Sequence, residues 1–298
     1  MTQEPSATVW QNAGPTVRDD LVSVDVGVDG ATIAVSSLPT QSPQGEVRFA
    51  KEGALSTSSG GGLAAPSLPV AVTVLNDTDA WILSNGNSMV GVAHWTGHWG
   101  PTFNIGRFGD SQPNTIWAPA KDDVWASARK KLWHYDGAKW NEVPVDATYG
   151  SIHGTGPNDV WFAGEGVAHW DGSALTRVAS LTGKFAGVWS STPGRVWLWG
   201  DGPAVLFDGS KTAPVTSVLQ SAADWDVRGI AETTNGDVFV LTKKSVGSQL
   251  LWFDPKHEKL VDVVSSDLDL TTIRGRGEKI VAVGGGGAFL QFVPPALH

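Results

Sequence analysis

The sequence predicts an all-β fold, a seven-bladed β-propeller of four-stranded antiparallel blades, and three observations carry that expectation. One segment recurs seven times. DDVWASA around Trp125, NDVWFAG around Trp161 and GRVWLWG around Trp197 set the frame, and DAWILS at Trp81, GDVFVL at Phe239, EKIVAVG at Val281 and GATIAVS at Ile33 fit it. The anchors stand 48, 44, 36, 36, 42 and 42 residues apart, within the period of propeller blades. The candidate elements are short runs rich in Val, Ile, Trp and Phe, bounded by Gly, Pro, Asn or Asp, while no longer window shows a capped helical period.

Within each unit the strands can be placed in order. An inner run precedes the anchor, at Val24, Val72, Ile116, Ile152, Val188, Ile230 and Thr272–Ile273. A third, aromatic-ended run follows the anchor, at Phe49, Trp95, Tyr135, Trp170, Phe207, Phe253 and Phe292. Asp-Gly after Tyr135, Trp170 and Phe207 signals a tight turn into a short outer strand, as at Trp99 and Trp140. The blades so delimited span 20–66, 67–108, 112–146, 149–180, 184–219, 225–265 and 269–294, the last completed by residues 7–12. That completion is expected because FLQFVPPALH stops after a third strand, while ATVWQNAGP matches KWNEVPV in character. An N-terminal strand there would close the ring and cover an open sheet edge. Residues 52–67, EGALSTSSGGGLAAPS, read as a flexible excursion and QSPQG at 41–45 as an exposed hairpin tip.

Composition bounds the chemistry. The 298 residues include 15 Trp and 36 Gly but no Cys, which excludes disulfides, thiolate nucleophiles and Cys-ligated metal centres. A net charge of −9 argues against a nucleic-acid partner. No apolar run is long enough for a membrane helix. MTQEPSATVW lacks the layout of a signal peptide, which fits a cytoplasmic chain or a secreted one already processed, so the compartment stays open.

At HWDG, YDG and FDG following DVW, the chain resembles the bacterial Trp-rich β-propeller repeat proteins. The resemblance covers nearly the whole chain and implies an architecture of the WD40 and kelch kind. A Trp170-Asp171 pair and a His153-Gly154 pair occur in one blade only, and the kelch double glycine and the sialidase box are absent. Propellers of this sort serve as lectins, protein-interaction platforms and occasionally lyases or hydrolases, so function has to come from the site.

Three histidines share one repeat position, His94, His134 and His169. Equivalent strands of adjacent blades lie a sheet-packing distance of roughly 10 Å apart, too far to share an ion, so these read as half-buried blade residues and no metal site is expected. Asp79, Asp123, Asp159 and Asp237 precede the anchor in four units, and recurrence marks turn chemistry, not catalysis. DVGVDG at 25–30 begins like a calcium loop but has Ser36 where such a loop needs Glu. There is no nucleophile elbow and no phosphate loop, and GGGG at 284–287 reads as a turn, so no cofactor is expected. A serine hydrolase built from distant residues would have His153 and His257 to draw on.

The position eight residues before the anchor is the informative one. It reads Asp25, Thr73, Trp117, His153, Trp189 and Ala231, on the strand that lines a propeller's channel. Trp117 and Trp189 flanking His153 would make an aromatic wall with one hydrogen-bonding group, suited to a sugar or a small amphipathic ligand. The plainer reading is that both Trp pack between sheets. Eleven of the Trp fall in frame as packing residues, while Trp133, Trp199, Trp225 and Trp252 do not and would form a contact surface if exposed together. The reading that results is a non-enzymatic binding module for a protein or glycan ligand, engaged at the loop face or the channel mouth. A lectin is one alternative. A propeller lyase or hydrolase using His153 with Asp25 or Glu232 is the other.

Overall fold

The computed structural model describes residues 10–12, 20–36, 47–51, 54–57, 68–86, 89–107, 113–209, 212–214, 226–254 and 259–292. Strand β1 (Trp10–Asn12) stands apart in sequence from the rest of its sheet. One sheet runs β2 (Leu21–Val26), β3 (Thr32–Ser36), β4 (Val47–Lys51), β5 (Ala54–Thr57), and the next β6 (Leu68–Asn76), β7 (Asp79–Gly86), β8 (Met89–Trp95), β9 (Trp99–Arg107). Then come β10 (Pro113–Ala120), β11 (Asp123–Ala128), β12 (Lys131–Tyr135), β13 (Trp140–Val143), followed by β14 (Tyr149–Gly156), β15 (Asp159–Gly164), β16 (Gly166–Trp170), β17 (Leu175–Arg177). The next sheet holds β18 (Phe185–Thr192), β19 (Arg195–Gly200), β20 (Val205–Phe207), β21 (Thr212–Pro214), and the one after it β22 (Asp226–Glu232), β23 (Val238–Lys243), β24 (Ser248–Asp254), β25 (Lys259–Ser266). Strands β26 (Leu270–Arg276), β27 (Lys279–Gly284) and β28 (Phe289–Phe292) share their sheet with β1, which pairs antiparallel with β28 at Trp10↔Phe292. The chain is all-β, and among the described residues it has no α-helix and no helix long and apolar enough to cross a membrane.

The inner strands contact one another in series, β2 with β6, β6 with β10, β10 with β14, β14 with β18, β18 with β22, β22 with β26, and β26 with β2. Each sheet is therefore sandwiched between two others, and its second strand is covered on both faces. That is why β3, β11 and β23 are apolar in near-continuous runs and do not alternate. Mixed apolar clusters fill the joints, such as Trp81, Leu83 and Val92 with Ile116, Val124 and Trp133. Close packing of this kind fixes small residues too. A Cβ on Gly187 would stand 1.9 Å from the Trp199 ring, so the indole lies where only glycine leaves room.

The structure corrects two expectations. Within 52–67 the chain does not simply wander, because residues 54–57 form β5 and pair with β4 at Phe49↔Ser56. Trp133, Trp199 and Trp252 are 3%, 4% and 3% exposed, so they are core residues and make no contact surface. GGGG at 284–287 is a turn, as it reads in the sequence: Gly285–Gly287 form a three-residue 3₁₀ segment in which Gly286 and Gly287 take positive φ. Trp225, His257 and the 41–45 hairpin tip lie outside the described residues.

The repeated His, Asp and Trp form one device. The indoles of Trp81, Trp125 and Trp161 stack on His94, His134 and His169 at ring separations of 3.9, 4.0 and 4.1 Å. Each imidazole Nε2–H donates to the carboxylate before the anchor, Asp79, Asp123 or Asp159, at 2.7, 2.7 and 2.8 Å. Asp159 also accepts from Trp161 Nε1 and Thr155 Oγ1. Burial pushes the Asp159 carboxyl up, but the hydrogen bonds from His169, Thr155 and Trp161 outweigh it and hold the group below its ordinary value. The next sheet has Arg195 where the others have this Asp. There Glu232, reaching back from β22, supplies the missing carboxylate, accepting from Arg195 Nε and Trp197 Nε1 at 2.8 and 2.7 Å. In the sheet after that, Asp237 accepts from Trp252 Nε1 at 3.0 Å.

Candidate functional site

An inner strand is a sheet edge, so its outward N–H groups need partners. They find them in side chains of the preceding sheet. Asp25 Oδ2 accepts from Val74 N at 2.8 Å, Thr73 Oγ1 from Ala118 N at 3.2 Å, and His153 Nδ1 from Ser190 N at 3.1 Å. One turn of the pleat away, Ser23 and Ser151 hydroxyls take Val72 N and Val188 N in the same way. The position singled out by its spacing is thus first a joint between sheets.

Asp25 and His153 also border a cavity of about 320 Å³ between the inner strands. Asp25, Trp117, His153, Trp189 and Glu232 all line it, brought together from five sheets. Their shares in it differ. Trp117 and Trp189 are 5% and 2% exposed and belong to apolar clusters, so their indoles offer a rim and not an open wall. His153 lies between them, stacked on Trp189 at 3.9 Å and tilted to Trp117 at 5.7 Å. Glu232 is buried, and its carboxylate is taken up by Ser191, Arg195 and Trp197. Thr155, Thr234, Gly275 and Arg276 complete much of the polar lining.

The electrostatics follow from burial and from two arginines. His153 is held well below its ordinary pKa by burial first, then by the Arg274 and Arg276 guanidiniums, against a smaller opposing effect of the Ser190 hydrogen bond. It is neutral at pH 7, and with Nδ1 accepting from Ser190 its proton sits on Nε2. Burial pushes Asp25 up, while Arg276, the Val74 and Val26 amides and Arg274 pull the other way. Arg274 is lowered by burial and raised by Asp25, and its Nη1 donates to Ile273 O at 2.9 Å.

Arg274 is the seventh member of the inner series, because it pairs with Val281 as Trp117 pairs with Trp125 and His153 with Trp161. Counting eight residues back from the anchor misses it by one. In β6, β10, β14 and β18 a bulge follows the inner position, after Val74, Trp117, Gly154 and Ser190 respectively, whereas β26 runs without one into a two-residue Gly277-Glu278 turn. The repeated Arg-Gly-Arg-Gly at 274–277 was the signal that could have found it. Among the described residues no group of three or more His, Asp or Glu is placed to hold a metal.

No protein-family model matches the sequence. No curated protein matches it either. Solved structures do. YCF48 from Cyanidioschyzon merolae is 12% identical with a TM-score of 0.72, covering 96% of this chain and 99% of that one. Virginiamycin B lyase from Staphylococcus aureus is 13% identical with a TM-score of 0.70, covering 95% and 97%. The extracellular domain of the hybrid two-component system BT3049 from B. thetaiotaomicron is 11% identical with a TM-score of 0.67, covering 97% of this chain and 42% of that one. These are β-propeller proteins, and at such identities the likeness is one of fold.

Proposed function

We propose that the chain is a non-enzymatic binding module, a seven-bladed propeller whose ring β1 completes, holding a protein or glycan ligand at the mouth of its channel. One observation carries the reading: four inner positions singled out by repeat spacing, Asp25, Trp117, His153 and Trp189, line a single cavity, of the size that small ligands or ligand fragments occupy. The carboxylate an enzyme would use is already engaged, since Glu232 accepts from three side chains of the preceding blade. Among the propellers of similar fold, a YCF48 structure holds a D1 peptide, so the architecture accommodates such a partner. The test is titration with peptide and glycan panels, following the indole N–H resonances. Ligands of the channel mouth shift Trp117 and Trp189. A ligand that shifts only Trp99 and Trp140, on the outer strands, moves the site to the loop face and overturns the channel assignment.

A second reading has an observation of its own. His153 Nε2 takes no protein partner among the described residues, and a lyase shares the fold. If turnover of any substrate is found, loss of that turnover in His153→Ala with binding retained would favour a lyase or hydrolase over a binding module.

A further inference from the structure

The polar groups around the cavity can be sorted by what they already hold. Ser191 donates to Glu232 and Thr155 to Asp159, while Thr234 donates to Glu278. Ser190 Oγ donates to the Thr192 and Arg195 carbonyls. Asp25 is spent on Val74 N, and Glu232 on its three donors. The groups that remain uncommitted include the Nε2–H of His153, the buried Nε1–H of Trp189 and the guanidinium of Arg276, which makes no hydrogen bond or ion pair among the described residues. All three are donors, and of these Arg276 carries the charge.

Charge points the same way. Arg274 and Arg276 stand two apart on β26, on one face of the strand, and both reach Asp25 and His153 electrostatically. Gly275 between them leaves no room for a larger residue, since a Cβ there would meet Ile280 at 2.2 Å. Glu278, in the turn, faces Thr234 and Asn235 instead, and Glu232 is matched by Arg195. Arg276 and Asp25 line the cavity with opposite charges, and Arg274 adds a second guanidinium that acts on Asp25 and His153 from outside the lining, in a protein whose net charge is −9.

We propose that the group bound in this cavity is a carboxylate, seated on the Arg276 guanidinium and the His153 Nε2–H. The proposal rests on the channel-mouth reading and names the chemistry recognised there. An arginine fork matches a carboxylate bidentately, and two guanidiniums around one carboxylate suit a monoanion better than a phosphate dianion. Val28 and Pro119, with the edges of the two indoles, supply the apolar border for the rest of the ligand.

The experiment titrates two matched pairs, N-acetylglycine against its amide and galacturonate against galactose, with inorganic phosphate as a third arm. The indole resonances of Trp117 and Trp189 are the readout. At least one acid binds about tenfold tighter than its neutral partner, as a charge-assisted hydrogen bond implies. Arg276→Gln brings the pair to parity without changing the melting temperature, and Arg276→Lys keeps part of the preference. The pair that discriminates tells whether the carboxylate ends a peptide or belongs to an acidic sugar. Neutral partners binding as well as acids, phosphate binding tighter than both acids, or a preference that survives Arg276→Gln each overturn the carboxylate assignment while leaving the channel mouth as the site. Silence of both indoles in every arm overturns the channel-mouth reading as well.

Discussion

His153 shows how one side chain carries both structure and electrostatics. Its Nδ1 closes the joint to Ser190 N, and a proton there would break that bond. The unfolded imidazole binds a proton below about its ordinary value of 6.5, and the folded one only at lower pH. In that window the unfolded chain holds more protons, so this residue's contribution to stability is present above 6.5 and lost as pH falls toward the folded value. The urea midpoint of the native protein should drop more steeply from about pH 7.5 to about pH 5.5 than that of His153→Gln, whose amide oxygen accepts from Ser190 without titrating. Equal slopes would exclude the joint as the origin. The repeat spacing of the sequence brought His153 to notice. Its hydrogen bond could not be foreseen, because direction across the joint depends on which sheet lies next.

Among elements, the inner strand and its turn decide what faces the cavity. Anchors and strand order were legible because sandwiched second strands must be apolar throughout, and that leaves a strong repeated trace, as in DVWASA and DVWFAG. Arg274 was not legible, since the missing bulge in β26 changes the count by one while the pairing stays equivalent. Nor was the role of Glu232, which compensates for Arg195 in a neighbouring sheet. β5 escaped notice because ALST sits in a Gly/Ser-rich stretch and has no aromatic residue such as Trp99 or Trp140 to mark it. Packing between elements is tight enough to test. Gly187→Ala drives a methyl into the Trp199 ring and should cost about 1–3 kcal/mol, measured by chemical denaturation. A variant as stable as the native protein would show that β18 shifts freely against β19.

At the scale of the whole molecule, β1 and β28 bring distant parts of the chain together, with Gln11 beside Gln291. If that pairing completes the ring, its loss should weaken every sheet and not one. A chain starting at Val17 should melt in one cooperative transition at lower temperature, and an unchanged melting temperature would show that β1 is dispensable. The joints between sheets have a further consequence. Three of them are made by a side chain of one unit reading the main chain of the next: Asp25 reads Val74, Thr73 reads Ala118 and His153 reads Ser190. A contact with main chain asks nothing of the following unit's side chains. It is directional and indifferent to sequence, so a duplicated segment inherits a working coupling on both sides. Inner residues such as Trp117 and Ala231 are then free to diverge, and a chain assembled by copying can come to carry a different chemical group on the inner strand of every sheet.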